Sequence, residues 1–106
     1  AVSRREGLPF TITVDDLLCQ YNAQNGKCFY TDIVLTWGYG QGRNPNTLSV
    51  DKVIPTNGYV PGNVVFCTYQ INRVKNDLTM DQLQKWIPGW YGRILAFLAL
   101  SEDLVQ

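Results

Sequence analysis

The sequence predicts a single α+β domain, a short strand–loop–strand–helix unit flanked by helices. Three observations predict it. Residues 48–53, LSVDKV, alternate at strand period, and a second apolar run, Val64-Val65-Phe66, follows after a loop. On either side of that unit, apolar residues recur at helical spacing behind a capping signature. The chain has 106 residues, 45% apolar and 17% charged, which suits one modest core.

Residues 1–12 read as an extended lead-in. Its Arg4-Arg5 pair could reach a phosphate, but the commoner role of such a pair is solvated charge. Residues 13–26 read as a helix of about three turns. Thr13 is the N-cap, and Asp16, three residues on, completes a capping box. Val14, Leu17, Leu18 and Tyr21 form the inward stripe, Cys19 is expected as buried packing, and Asn25-Gly26 stops the helix.

Residues 27–77 form the expected core. Cys28, Phe29 and Tyr30, then Ile33-Val34-Leu35, bracket a turn at Thr31-Asp32 and predict a small hairpin. Residues 38–47, GYGQGRNPNT, are a loop. A phosphate-cradle reading of its glycines is weak, because no helix start with Lys-Ser/Thr follows. A tip that lies along DNA, with Arg43 as its contact, weighs evenly against a plain loop. On the next strand Leu48, Val50 and Lys52 share one face, and Ser49, Asp51 and Val53 the other. Pro55 ends it, and Asn57-Gly58 and Pro61-Gly62 mark a compact loop. After the second strand, residues 70–75 suit a short helix with Asn72 and Asn76 one turn apart.

Residues 78–106 form a helical tail. Thr79 with Gln82 caps a helix to residue 87, with Leu83, Trp86 and Ile87 inward and Pro88-Gly89 as its break. Residues 90–100 are a third helix, nearly continuous in apolarity through Ile94, Leu95, Phe97, Leu98 and Ala99. Docking on the body of the domain is expected, with self-association as the alternative.

Net charge is zero and pI about 6.3, which excludes a strongly basic nucleic-acid coat but not a local basic site. Three cysteines are an odd number, so a disulfide framework is not expected. No apolar run is long enough to span a membrane and no signal-peptide pattern stands out, so the expected compartment is a reducing cytoplasm.

Residues 48–77 resemble the HNH (His-Me finger) nucleases, in particular a phage-type branch with Asp-Arg or Asp-Lys in place of Asp-His. Ser49-Val50-Asp51-Lys52-Val53, Gly58-Tyr59, Asn63-Val64 and Asn72-Arg73-Val74-Lys75-Asn76-Asp77 carry the likeness. Residues 4–17 resemble that branch's lead-in, so the likeness covers most of residues 4–86. Each piece alone has a plain structural reading, such as an edge carboxylate, a turn residue or a solvated helix residue; their joint order and spacing favour the family.

The resemblance implies a ββα-metal fold that binds one Mg²⁺ or Mn²⁺ and cuts DNA as an endonuclease or nickase. It implies metal ligation by Asp51, Asn72 and Asn76, a place for Lys52 where the family carries its histidine base, and Asn63 steadying that base or the loop. Arg73 and Lys75 would grip flanking phosphates. The chain has no histidine. A lysine is a poor base near neutral pH unless burial or a like charge lowers its pKa, and a good phosphate clamp as it stands. The two zinc knuckles of many HNH proteins are reduced to Cys28 and Cys67, each without its second cysteine, so structural zinc is not expected. The implied source is a phage, and the host cytoplasm the implied location. The alternative is a catalytically inactive protein of this fold that binds DNA or a host protein.

Overall fold

The computed structural model describes residues 7–37, 44–76 and 78–105, with side chains to residue 100. It is a small α+β fold of four α-helices and a two-stranded antiparallel sheet. In chain order these are α1 (Val14–Ala23), β1 (Leu48–Lys52), β2 (Val64–Thr68), α2 (Tyr69–Lys75), α3 (Met80–Trp86) and α4 (Pro88–Val105).

The expected local signals are used. The Thr13 side chain accepts from the Asp16 amide, and Asp16 accepts from the Thr13 amide, closing the capping box of α1. Thr79 and Gln82 do the same for α3. Asn25 and Gly26 take left-handed conformations that end α1. The turn at residues 31–32 forms with Asp32 at φ 63°; Cys28 N donates to Ile33 O at 2.7 Å and Asp32 N to Cys28 O at 3.0 Å. Only an isolated bridge, Lys27 to Val34, flanks it.

β1 and β2 pair Leu48 with Thr68, Val50 with Phe66 and Lys52 with Val64. All five residues of β2 are buried. Its outer edge is covered rather than exposed: the Gln24 amide accepts from Phe66 N at 2.9 Å and donates to Phe66 O at 2.8 Å, and Phe29 N donates to Phe66 O at 2.9 Å. β2 runs two residues beyond the expected Val64-Val65-Phe66. Thr68 then caps α2 by accepting from Ile71 N.

The core gathers Cys28, Tyr30, Val53, Val65, Cys67, Leu83 and Ile94, all at 3% exposure or less. The lead-in is tied down from Pro9 onward. Tyr59 N donates to Pro9 O at 2.9 Å, and the Thr11 and Ile12 amides both donate to Tyr59 O. Gly58 makes this approach possible: its φ is +78°, and a Cβ there would lie 2.4 Å from Pro9 O.

Several expectations need correction. Cys19 is exposed, because the buried side of α1 is carried by Leu17 and Tyr21, while Val14 and Leu18 point out at 71% and 56% exposure. Trp86 is 58% exposed, and Leu83 is the buried anchor of α3. Pro88-Gly89 ends α3 and also begins α4, since a proline at the first helical position loses no intrahelical bond.

α4 docks on the body of the domain. Ile94 is fully buried, Phe97 meets Phe29 at 5.5 Å between ring centroids, and Trp90 meets Tyr30 at 5.1 Å. The Arg93 guanidinium donates to Phe29 O and to both carboxylate oxygens of Asp32. Among the described residues, no helix is long and apolar enough to cross a membrane.

Candidate functional site

Strand alternation sends Ser49 and Asp51 to the side of the sheet that α2 covers. Three residues apart on α2, Asn72 and Lys75 meet them. Asn72 Nδ2 donates to Ser49 Oγ at 2.7 Å and to Val50 O at 3.3 Å. Lys75 Nζ lies 3.2 Å from both Asp51 carboxylate oxygens. It also donates to Lys52 O at 3.2 Å and Val53 O at 3.1 Å. From the hairpin, Tyr30 donates its hydroxyl to Asp51 Oδ2 at 2.5 Å.

This cluster is dry: Asp51 is 4% exposed, Lys75 1% and Tyr30 3%. Burial pushes the Asp51 carboxyl above its ordinary pKa, while the Lys75 ammonium and the Tyr30 hydroxyl pull it back. The Tyr30 phenol is held far above its ordinary value, first by burial and then by the Asp51 charge beside it. The Cys67 thiol is pushed up as well, chiefly by burial and then by Asp51 and Cys28, which keeps it neutral and unreactive.

Asn63 is 3% exposed and closes the loop between the strands. Its Oδ1 accepts from Ile54 N at 2.9 Å; its Nδ2 donates to Ile54 O at 3.0 Å and Gly58 O at 2.7 Å. Of the two expected roles, steadying a base or steadying the loop, these bonds belong to the second.

Lys52 and Asp51 are neighbours in sequence but face opposite ways, as alternation requires. The partly exposed Lys52 carries its ammonium 5.0 Å from the centroid of the Tyr59 ring. Lys75, expected as an outward phosphate contact, is instead the most enclosed charge in the core. Its helix face is the one already committed to the sheet by Asn72. That spacing was the available signal in the sequence. The part played by Tyr30 carried no local signal.

Asn76 and Arg73 are exposed on α2. With Thr47, Ser49, Tyr69 and Asn72 they line a polar surface depression of about 500 Å³. The Arg73 guanidinium sits 5.7 Å from the Tyr69 ring centroid. Arg43 lies outside the described residues. A wider groove of about 990 Å³ runs between α1 and α4, lined by Cys19, Ala23, Phe29, Phe97 and Leu100 among others, and holds none of the residues expected to act.

The donor set does not fit a divalent ion at Asp51. Both carboxylate oxygens already have partners, the charge is balanced by Lys75, and the seat is closed to water, whereas Mg²⁺ keeps several waters when bound by protein. Among the described residues, no group of three or more His, Cys, Asp or Glu side chains is placed to hold a metal ion. Compared with known proteins, the chain matches no family model and no curated protein.

Proposed function

We propose that this chain is a nucleic-acid-binding module of the HNH type whose hydrolytic centre has given way to an internal ion pair. One observation carries the reading: Asp51, the residue that would anchor a metal, is buried with Lys75 and Tyr30 already bonded to its two oxygens. The absence of histidine agrees with it, since Lys52 is the only basic group adjacent to Asp51 in sequence and it faces the other side.

Nucleic acid is the proposed partner because of the surface depression where α2 meets the start of β1. There Arg73 stands beside the amides of Asn72 and Asn76 and the hydroxyls of Ser49 and Thr47. Such groups are the usual contacts to phosphate and sugar. With zero net charge the contact is a local one.

A second reading, the Mg²⁺- or Mn²⁺-dependent endonuclease, is favoured by the order in which Asp51, Asn63 and Asn72 fall on β1, the loop and α2. One experiment separates the two. Supercoiled plasmid is incubated with Mg²⁺ or Mn²⁺, and binding to duplex DNA is measured on the same preparation. The expected result is binding without nicking. Arg73→Ala should weaken binding and lower the salt slope by about 1. Nicking that disappears in Asp51→Ala refutes the proposal and restores the endonuclease. Neither nicking nor binding moves the assignment to a protein partner.

A further inference from the structure

Three oxygen groups converge on one buried point: the Asp51 carboxylate and the main-chain carbonyls of Lys52 and Val53. The Lys75 ammonium stands at that point, with oxygens at 3.1–3.2 Å. Its three protons have three acceptors. One carboxylate and two carbonyls are also the ligands a hard cation takes from protein. The carbonyls belong to the end of β1 and the residue after it, so the backbone shapes this seat independently of the Lys75 stem. The stem crosses the core from the last residue of α2, and its Nζ lies 5.9 Å from the Tyr30 ring centre.

Resting on the reading above for the role Asp51 would otherwise have, we propose that this seat is a cation site closed by its own chain. Lys75 is a tethered cation that holds the place of a free one. It needs no water shell and competes intramolecularly, so free divalent ions are kept from Asp51. Shortening Lys75 opens the seat to one divalent or trivalent ion, with Asp51 and the two carbonyls as ligands.

The probes are Tb³⁺ and Mn²⁺. Tyr30 bonds to Asp51 and lies 5.1 Å from Trp90, so an ion in the seat lies close enough to these rings for sensitised Tb³⁺ emission. Wild type, Lys75→Ala and Lys75→Ala/Asp51→Asn are titrated without DNA. A free ion must displace the Lys75 ammonium from three buried acceptors and leave that charge uncompensated, so Lys75→Ala should bind Tb³⁺ at least about ten-fold tighter than wild type. The gain should vanish in the double variant. Mn²⁺ should raise the melting temperature of Lys75→Ala and leave that of wild type unchanged. A folded Lys75→Ala that binds no tighter than wild type overturns the proposal.

Should Lys75→Ala fail to fold, the wild type decides. The ¹⁵N signal of the Lys75 ammonium should persist in Mn²⁺. Paramagnetic loss of that signal places Mn²⁺ beside Asp51 and overturns the proposal. Plasmid nicking by wild type would refute the non-hydrolytic reading but would not by itself decide this one, because the cation measurements involve no nuclease activity.

Discussion

Asn63 offers the sharpest test of how the loop between β1 and β2 is held. Its side chain makes three bonds to the backbone: one accepted from Ile54 N and two donated, to Ile54 O and Gly58 O. Asn63→Ala removes all three without adding bulk. At about 0.5–1.5 kcal/mol net for each bond, the expected loss is about 2–4 kcal/mol. That is a large part of the roughly 5–15 kcal/mol available to a domain of this kind. Asn63→Asp is the informative partner. It is nearly the same shape and keeps an acceptor for Ile54 N, but it turns an anionic oxygen toward the carbonyls of Ile54 and Gly58. It should therefore cost at least as much as alanine, because a buried charge without a donor is worse than a small void. Guanidinium unfolding of the three proteins measures the difference, and amide exchange at Ile54 shows whether the loop is where stability is lost. If Asn63→Asp is as stable as wild type, these bonds do not hold the loop. If Asn63→Ala keeps its stability and loses DNA binding, the residue acts on the partner instead.

Gly58→Ala should cost more than about 1–3 kcal/mol, because φ +78° with ψ −167° is a region essentially reserved to glycine and the new Cβ also meets Pro9 O and must push the lead-in off Tyr59. Gly92→Ala, in α4 with no heavy atom beyond its own chain neighbours and helix backbone within 4 Å of the added carbon, should be neutral or stabilising by up to about 1 kcal/mol; equal losses at the two sites in urea unfolding would refute the distinction. Tyr30 predicts alkaline behaviour. Its folded pKa is raised, so its contribution is complete below the ordinary tyrosine value of about 10 and is lost as pH rises through the folded value. In ultraviolet titration one of the six tyrosines should ionise only together with the loss of circular dichroism, and Tyr30→Phe should remove that coincident step.

The elements set by short-range chemistry could be read from the chain. Thr13 with Asp16 and Thr79 with Gln82 cap helices because cap and third residue are brought together by one helical turn. Asn25-Gly26 and Gly58 mark turns because few other residues accept positive φ. Alternation along β1 foretold that Asp51 and Lys52 face apart. The order strand, loop, strand, helix was legible as well.

The destination of the Asp51 charge was not legible. Its partners are Tyr30, 21 residues before it, and Lys75, 24 residues after it. Nothing local links them. Lys75 in the sequence reads as a soluble helix residue with a phosphate-sized reach. Only the packing of α2 onto the sheet and of the hairpin beside it encloses that ammonium and that carboxylate together. Once enclosed they must neutralise one another, because an unpaired charge in a dry core costs several kcal/mol. In the same way Gln24 reaches Phe66, 42 residues away, and covers the edge of β2. Sequence thus determined the elements and the two faces of β1, but not the inward side of α1, where Val14 and Leu18 point out. The tertiary structure alone decided which charges are buried against each other, since burial depends on every element that packs around a site and not on the neighbours in the chain.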